Sequence, residues 1–334
     1  MAFDRQLFTT VLQQFSQTVP KVELYTYEVI GSTNQACWEE FDRAAKIPFI
    51  AIARQQTAGR GQWGRTWHSE PGGLYLSLAI APNIPAAHAP HLTLCSAWGI
   101  ATALRRHQIP VFLKWPNDLI LNGCKLGGIK SETRVHQGKI ERAVIGVGIN
   151  WKNPAPSPGI ALFTWIQQQL SAKADGRWQE AEGWIANQSP PTSPTSPAPH
   201  HPINSVISQQ STVEGTGTLP VTPSPRLPVP PSSLEILAAI VTGGLFSGYQ
   251  RYKDEGIENI LSSYFELFAD RDRAIVVDGC PATIVGIEPT GALRLRLQSQ
   301  GAAVEICRMP GTISLGYETP TPNIRQKNCM KQIQ

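Results

Sequence analysis

The sequence predicts an α+β protein in which a mixed β-sheet with flanking helices is followed by a small C-terminal β-barrel. Three observations lead there. From Lys21 to Asn150, short apolar strands alternate with helical spacings and end in a meander containing Asn122-Gly123, a strong hairpin signal. From Ala274 to Arg308, four short strands are separated by Asp278-Gly279, Thr290-Gly291 and Gln300-Gly301, the spacing of an SH3-like barrel. Between these regions the composition breaks, with 15 of the 28 prolines between residues 151 and 232 and 12 of those after Asn187 among Ser, Thr and Gln. Such a segment buries too little apolar surface to offset the entropy of ordering it, so residues 188–231 read as a disordered insert. The division that results is a first domain over 1–270 that carries the insert, a barrel over 271–318 and a polar tail over 319–334.

Taken in order, Lys21 to Ile30 is rich in β-branched and aromatic residues and predicts a strand that Gly31 ends. Cys37, Phe41, Ala44 and Ala45 then recur at helical spacing, with Ser32 and Gln35 in the form of a capping box. Ser32, Thr33 and Asn34 read either as helix capping or as a polar wall beside free helix NH groups, and the two are compatible. Phe49 to Ala53 and Leu74 to Ile80 are apolar strands of one sheet, joined by a glycine-rich loop. Leu92 to Arg106 carries Leu94, Trp98, Ala101 and Leu104 in register, a mostly buried helix in which Trp98 belongs to the core.

Val111 to Lys114, Leu119 to Leu121, the strand from Lys125 and Ala143 to Asn150 make the meander. Glycines at 127, 128, 146 and 148 interrupt two of these strands, which marks either a cleft floor or a tight crossing of backbones. Leu162 to Leu170 and Trp178 to Ile185 are short helical stretches. Ser232 and Glu235 open a helix with Leu234, Leu237, Val241, Leu245 and Tyr249 on its apolar face. Gly256 interrupts it, and Ile257, Ile260, Leu261, Tyr264 and Phe268 continue. Leu293, Leu295 and Leu297 alternate with Arg294 and Arg296, as in a strand with one buried face.

Composition excludes more than it selects. A formal charge of +4 is only mildly basic and gives no reason to expect DNA as a partner. Six cysteines lie at least 22 residues apart with no C-x-x-C and no Cys/His cluster, so neither a zinc site nor a disulfide framework is suggested. The N-terminus has no signal-peptide core and no run approaches the length of a membrane span. A cytoplasmic protein with no membrane partner is the default expectation.

The loop Gly59-Arg60-Gly61-Gln62-Trp63-Gly64-Arg65-Thr66-Trp67 is where chemistry concentrates. Its glycines let backbone NH groups turn toward an anion, and its arginines offer forked donors to carboxylate or phosphate. It also spells G-x-G-x-x-G, but Glu70-Pro71-Gly72-Gly73 stops any helix and no acidic residue occurs between Pro71 and Asn117, so the dinucleotide reading fails. With a strand lysine at 125, an Asn117-Asp118 pair and no nucleophile-His arrangement, the residues suit a reaction that needs charge stabilisation and positioning, such as transfer at the α-phosphorus of ATP.

Five segments together resemble the successive motifs of biotin protein ligases: Ser32-Thr33-Asn34, Gly59 to Trp67, Lys114-Trp115-Pro116-Asn117-Asp118, Lys125-Leu126-Gly127-Gly128-Ile129 and Gly146-Val147-Gly148-Ile149-Asn150. The resemblance covers residues 21–150 and, more loosely, 233–318. It implies the class II synthetase-like catalytic fold and a two-step activity. Biotin and ATP give biotinyl-5'-AMP, and a lysine of the biotin carboxyl carrier protein of acetyl-CoA carboxylase then takes the biotinyl group. By the same resemblance, Ser32, Thr33, Asn34 and Gln56 would meet the ureido head of biotin. Arg60 and Gly61 would cover its valeryl chain and carboxylate, and Lys125, with Arg60 the catalytic pair, would sit against the reacting carboxylate and α-phosphate. Arg65, Trp67, Asn117 and Asn150 would serve ATP, with Asp118 near Mg2+ or the reacting ends; no metal site is otherwise indicated.

Two departures carry expectations. Gln62 stands where the family's well-characterised members have a second arginine at a position tied to retaining the adenylate, so a leakier intermediate is expected. Only about twenty residues precede the first strand of the catalytic region, too few for the helix-turn-helix that some members carry, so no operator binding is expected. The rival readings are a lipoate or octanoate ligase of the same fold and a catalytically idle binding module. A monomer or a homodimer is compatible with the sequence.

Overall fold

The computed structural model describes residues 3–15, 19–174, 230–298 and 304–316. The Pro-rich insert, apart from Pro230 and Pro231, lies outside these residues, as do Trp178 to Ile185 and the polar tail.

Eight strands make the framework: β1 (Glu23–Ile30), β2 (Phe49–Gln56), β3 (Leu74–Ile80), β4 (Ile84–Pro85), β5 (Phe112–Lys114), β6 (Asp118–Leu121), β7 (Cys124–His136) and β8 (Lys139–Ile149). They lie in the order β1-β2-β3-β8-β7-β6-β5, and β4 pairs with the start of β8. The β1–β2 pair is parallel because helix α2 (Thr33–Asp42) carries the chain back between them; the other pairs are antiparallel. Asn122 and Gly123 both take positive φ, 51° and 72°, which the tight β6–β7 hairpin requires.

Both faces of the sheet are covered, which is why β2 and β3 read as unbroken apolar runs. Ile50 and Ile52 of β2 join Leu76 and Leu78 of β3 in the main core beneath helices α3 (Ala89–Arg106) and α5 (Leu234–Glu266). Phe49 and Ala51 point the other way, onto Cys37, Trp38 and Phe41 of α2. Helices α3 and α5 cross closely at Gly99, Gly244 and Gly248, where a Cβ on Gly99 would overlap the Gly244 carbonyl. The predicted interruption of α5 is present at Gly256, with φ of 81°. Trp98 is buried in the core as predicted, with the Arg251 guanidinium over its ring.

Two helices extend the expectation. Helix α4 (Leu162–Ala174) is longer than its sequence signal, and α1 (Arg5–Phe15) was not anticipated. Helix α1 packs on α5 through buried Phe8, Val11 and Leu12, and the Asp4 carboxylate accepts the Leu7 N–H at 2.9 Å at its start.

The C-terminal strands β9 (Ala274–Val277), β10 (Cys280–Ile287), β11 (Leu293–Leu297) and β12 (Val304–Arg308) form a separate antiparallel meander. Leu293 and Leu295 are fully buried while Arg296 faces out to Glu305, the alternation predicted for this strand. This sheet is fastened to the framework at several points. Lys114 Nζ lies 2.9 Å from Asp270 Oδ2, and Arg273 reaches Asp270 Oδ1 at 2.6 Å, in a group where Lys114 and Asp270 are at most 10% exposed. The Trp115 indole N–H donates to the Gly291 carbonyl at 2.9 Å, and the His91 ring bonds the Pro289 carbonyl.

Candidate active site

On the α2 side of the sheet lies a cavity of about 690 Å³, and every site residue picked from the sequence lines it: Ser32, Thr33, Asn34, Gln56, Arg60, Gly61, Gln62, Arg65, Trp67, Asn117, Asp118, Lys125 and Asn150. Its floor is made by glycines of paired strands, with Gly128 opposite Gly148 and Lys130 opposite Gly146. A Cβ on Gly146 would overlap the Asn34 amide and one on Gly148 the Trp67 indole. These two glycines and Gly128 therefore answer the cleft-floor reading. Gly127 answers the other, since its Cβ would strike the Gly148 carbonyl of the neighbouring strand.

One end wall is a hydroxyl and amide network. The Gln56 carbonyl oxygen accepts from the Thr33 N–H at 2.9 Å and from Thr33 Oγ1 at 3.1 Å, while its amide donates to Ser69 Oγ at 2.8 Å. Fully buried Ser77 of β3 lies 2.7 Å from both Thr33 Oγ1 and Asn34 Oδ1. The Asn34 amide nitrogen faces the Lys130 carbonyl and the Glu132 carboxylate, two acceptors, which fixes its Oδ1 toward Ser77. Three contacts, Ser77 with Thr33, Ser77 with Asn34 and Thr33 with Gln56, thus share two hydroxyl protons. One oxygen of the set always has room to accept a donor from a ligand.

The predicted capping box is not made. Ser32 occupies the N-cap position in extended conformation, and its side chain makes no capping bond. The Thr33 N–H is instead satisfied by Gln56 from β2, and Gln35 turns along the helix to Glu39 at 3.3 Å. The start of α2 is held by the cavity wall and not by local capping.

The opposite end is ionic. Lys125 Nζ sits 2.7 Å from Asp118 Oδ1 and 5.5 Å from the Trp67 ring centroid, with both charged side chains only partly exposed. Asn150 is held by Asn153, whose amide donates to its Oδ1 at 3.1 Å, and Asn117 donates to the Ile129 carbonyl at 3.0 Å. Tyr264, buried under the turn, donates to the Pro116 carbonyl at 3.2 Å. The arginine loop is closed on itself by a bridge between Arg60 and Thr66 and by the Gly61 N–H bonding the Arg65 carbonyl at 2.7 Å. Two buried polar atoms of this loop, the Trp67 indole N–H and Gln62 Oε1, have no hydrogen-bond partner among the described residues, so the loop keeps donor and acceptor capacity for a ligand.

Several lining groups were not picked from the sequence. Ser69, Ser77, Lys130, Glu132 and the C-terminal segment Gly311–Gly316 all border or support the cavity. Burial pushes the Glu132 carboxyl up, but hydrogen bonds from the Trp38 indole, Asn34 and Lys130 outweigh it and hold the carboxyl below its usual range. It is therefore ionised at neutral pH and paired with Lys130 at 3.2 Å. Burial raises the Cys37 thiol, and Cys95 is pushed up to about 12, so neither is a thiolate nucleophile at neutral pH. Among the described residues no group of three or more His, Cys, Asp or Glu side chains could hold a metal ion, and no helix is long and apolar enough to cross a membrane.

Against this geometry, the sequence profile of the Biotin/lipoate A/B protein ligase family matches residues 26–150. Those residues are similar to the biotin/lipoate A/B protein ligase family, over less than half of the chain. All thirteen predicted site positions fall inside the matched region. The chain is 36% identical over 157 residues to the bifunctional ligase/repressor BirA of Bacillus subtilis, covering 46% of this chain and 48% of that protein. It is 34% identical over 111 residues to the biotin--[acetyl-CoA-carboxylase] ligase of Paracoccus denitrificans, covering 32% of this chain and 46% of that one. The chain thus spans about half the length of the curated relatives it matches. Among solved structures, the biotin protein ligase from Aquifex aeolicus in complex with biotin and ATP superposes with a TM-score of 0.53 at 17% identity, over 85% of this chain and 95% of that one. At that identity the likeness shows the fold alone, a mixed sheet with flanking helices and a C-terminal antiparallel sheet.

Proposed function

We propose that this protein activates biotin with ATP and passes the biotinyl group to a lysine of a biotin carboxyl carrier protein. The observation that carries the reading is the ion-paired Lys125 and the arginine loop meeting the Ser32–Gln56 hydroxyl and amide wall in one cavity. Relatives named as biotin--[acetyl-CoA-carboxylase] ligases favour biotin over lipoate, and the wall's surplus accepting capacity suits a ligand head with N–H groups better than a dithiolane.

In the first step a carboxylate oxygen of biotin forms a bond to the α-phosphorus, the bond from that phosphorus to the β-bridging oxygen breaks, and pyrophosphate leaves. Lys125, Arg60 and Arg65 supply fixed positive charge where negative charge gathers, so they stabilise the transition state without accepting a proton. Mg2+ would arrive on the triphosphate, where it neutralises the leaving group, and Asp118 is the carboxylate beside Lys125 that could share it, in keeping with magnesium's use of one or two carboxylates plus phosphate. In the second step the neutral amine of the carrier lysine attacks the acyl carbon, the bond from that carbon to the phosphate oxygen breaks, AMP leaves with the bonding electron pair, and the proton shed by the amine passes to water. The loop shields the mixed anhydride from water meanwhile.

Biotin-dependent exchange of labelled pyrophosphate into ATP tests the reading. It should occur with biotin, fail with lipoate and octanoate, and be lost in Lys125→Ala. Absence of exchange with biotin would refute it, exchange with lipoate or octanoate alone would favour the rival ligase, and exchange with none of the three would favour an idle module.

A further inference from the structure

The polar end of the cavity contains an ion pair whose two members are differently engaged. Lys130 and Glu132 are alternate residues of β7, so both side chains leave the strand on one face, and both border the cavity. Lys130 stands directly opposite Gly146, and a Cβ on Gly146 would overlap the Asn34 amide, so that face is the one Asn34 occupies. Glu132 receives three donors: Lys130 Nζ at 3.2 Å, the Trp38 indole N–H at 2.8 Å and the Asn34 amide. Most of its accepting capacity is therefore taken up within the protein. The Lys130 ammonium has three N–H groups and, among the described residues, this one carboxylate to receive them. Its side chain is 26% exposed, too covered for an ordinary surface pair and open enough to meet a bound molecule.

That ammonium completes a pattern. The set of Ser77, Thr33, Asn34 and Gln56 keeps one oxygen able to accept a donor, and Lys130 adds a charged donor on the face that Asn34 occupies. An acceptor and a donor in one wall match a group that carries N–H and C=O together, and the charge on the donor strengthens the bond to the C=O. We propose that Lys130 is a specificity-determining residue that donates to the carbonyl oxygen of a cyclic urea, so that the cavity takes a neutral urea head and turns away its cationic guanidino analogue. In that analogue a protonated imine nitrogen replaces the oxygen, which removes the acceptor and sets a second positive charge against the ammonium. Glu132 is a positioning residue, since it holds Lys130 and Asn34 and acts through them. The inference rests on the proposed function, because it takes the urea to be the head of biotin.

The test is calorimetric titration of the full chain with biotin, and with iminobiotin alone and in competition, at neutral pH where the guanidino group is protonated. Lys130→Met keeps the length of the stem and removes the charge. It should cut the preference for biotin about tenfold or more, weakening biotin and strengthening iminobiotin, which then meets an uncompensated Glu132. Glu132→Gln, which takes the counter-charge from Lys130, should move the preference the opposite way, and Lys130→Arg should keep most of it. A wall that only lost its shape would change both affinities together. An equal loss for the two ligands in Lys130→Met, or a preference that shifts in the same direction in Lys130→Met and Glu132→Gln, would therefore overturn the role of Lys130 while leaving biotin as the substrate. Wild-type protein that binds neither ligand would refute the proposed function, and this inference with it.

Discussion

Replacing Ser77 with Ala is the sharpest probe of the cavity wall, because it removes one oxygen and leaves the apolar packing of β3 in place. The lost atom is fully buried and lies 2.7 Å from Thr33 Oγ1 and from Asn34 Oδ1. Thr33 keeps its bond to Gln56, so the group left wanting is the Asn34 carbonyl oxygen, facing an alanine methyl. Stranding a buried acceptor costs about 1–3 kcal/mol, and the void left by one hydroxyl adds little to that. A stability loss of about 1–2 kcal/mol is expected by urea denaturation at equilibrium. Biotin affinity, measured by calorimetric titration, should fall roughly tenfold, about 1.4 kcal/mol, as Asn34 and Thr33 lose their fixed orientation. A stability change under about 0.5 kcal/mol, the range of an ordinary surface substitution, would show that the network does not hold the wall and would sink the argument.

Gly148→Ala should push the Trp67 indole off the cavity floor, weakening ligand binding by tenfold or more at a stability cost of about 1–3 kcal/mol; binding and melting curves that match wild type would contradict the overlap. Gln62→Arg should slow release of biotinyl-5'-AMP in a trapped-intermediate dissociation assay, and equal rates would remove the argument from lost charge. Glu132 has a folded-state pKa below its unfolded value, so the stability it contributes is complete above about pH 5 and is lost as pH falls through its lowered pKa. Glu132→Gln should accordingly flatten the acid limb of stability against pH, and an unchanged limb would show that this carboxylate is not the group responsible. Deleting 188–229, which spares Pro231 and the Ser233 cap of α5, should leave biotinylation rates within a few fold; loss of activity would mean that the insert reaches the site or the carrier.

The residues proposed to meet a ligand were the legible part of the site, because their chemistry shows in their type: glycines inside strands, arginines between glycines, a lysine after a hairpin. The supporting residues were less so. Ser77 is one hydroxyl in the apolar run Leu74–Ile80, and only the packing of α2 across β3 gives it Thr33 and Asn34 as neighbours. Gly311–Gly316 joins the cavity through a tertiary approach for which spacing along the chain holds no cue. Helix α1 has a legible signal of its own, since Phe8, Val11 and Leu12 have helical spacing behind an Asp4 cap. Ser32 and Gln35 show the opposite case, a local capping pattern overruled by Gln56 reaching in from β2.

The Lys114, Asp270 and Arg273 cluster bears on what can be separated from what. A boundary drawn at 270/271 falls inside it, between a carboxylate and one of its two cations. Cutting there would strip Asp270 of Arg273 and leave the buried Lys114–Asp270 pair at a frayed chain end, and breaking such a pair costs about 3–5 kcal/mol. Lys114 opens the turn that carries Asn117 and Asp118, so the damage would reach the ionic end of the cavity before it reached the rest of the sheet. The C-terminal sheet is in that sense a brace supplied in cis, tethered to the chain and set against one end of the cavity.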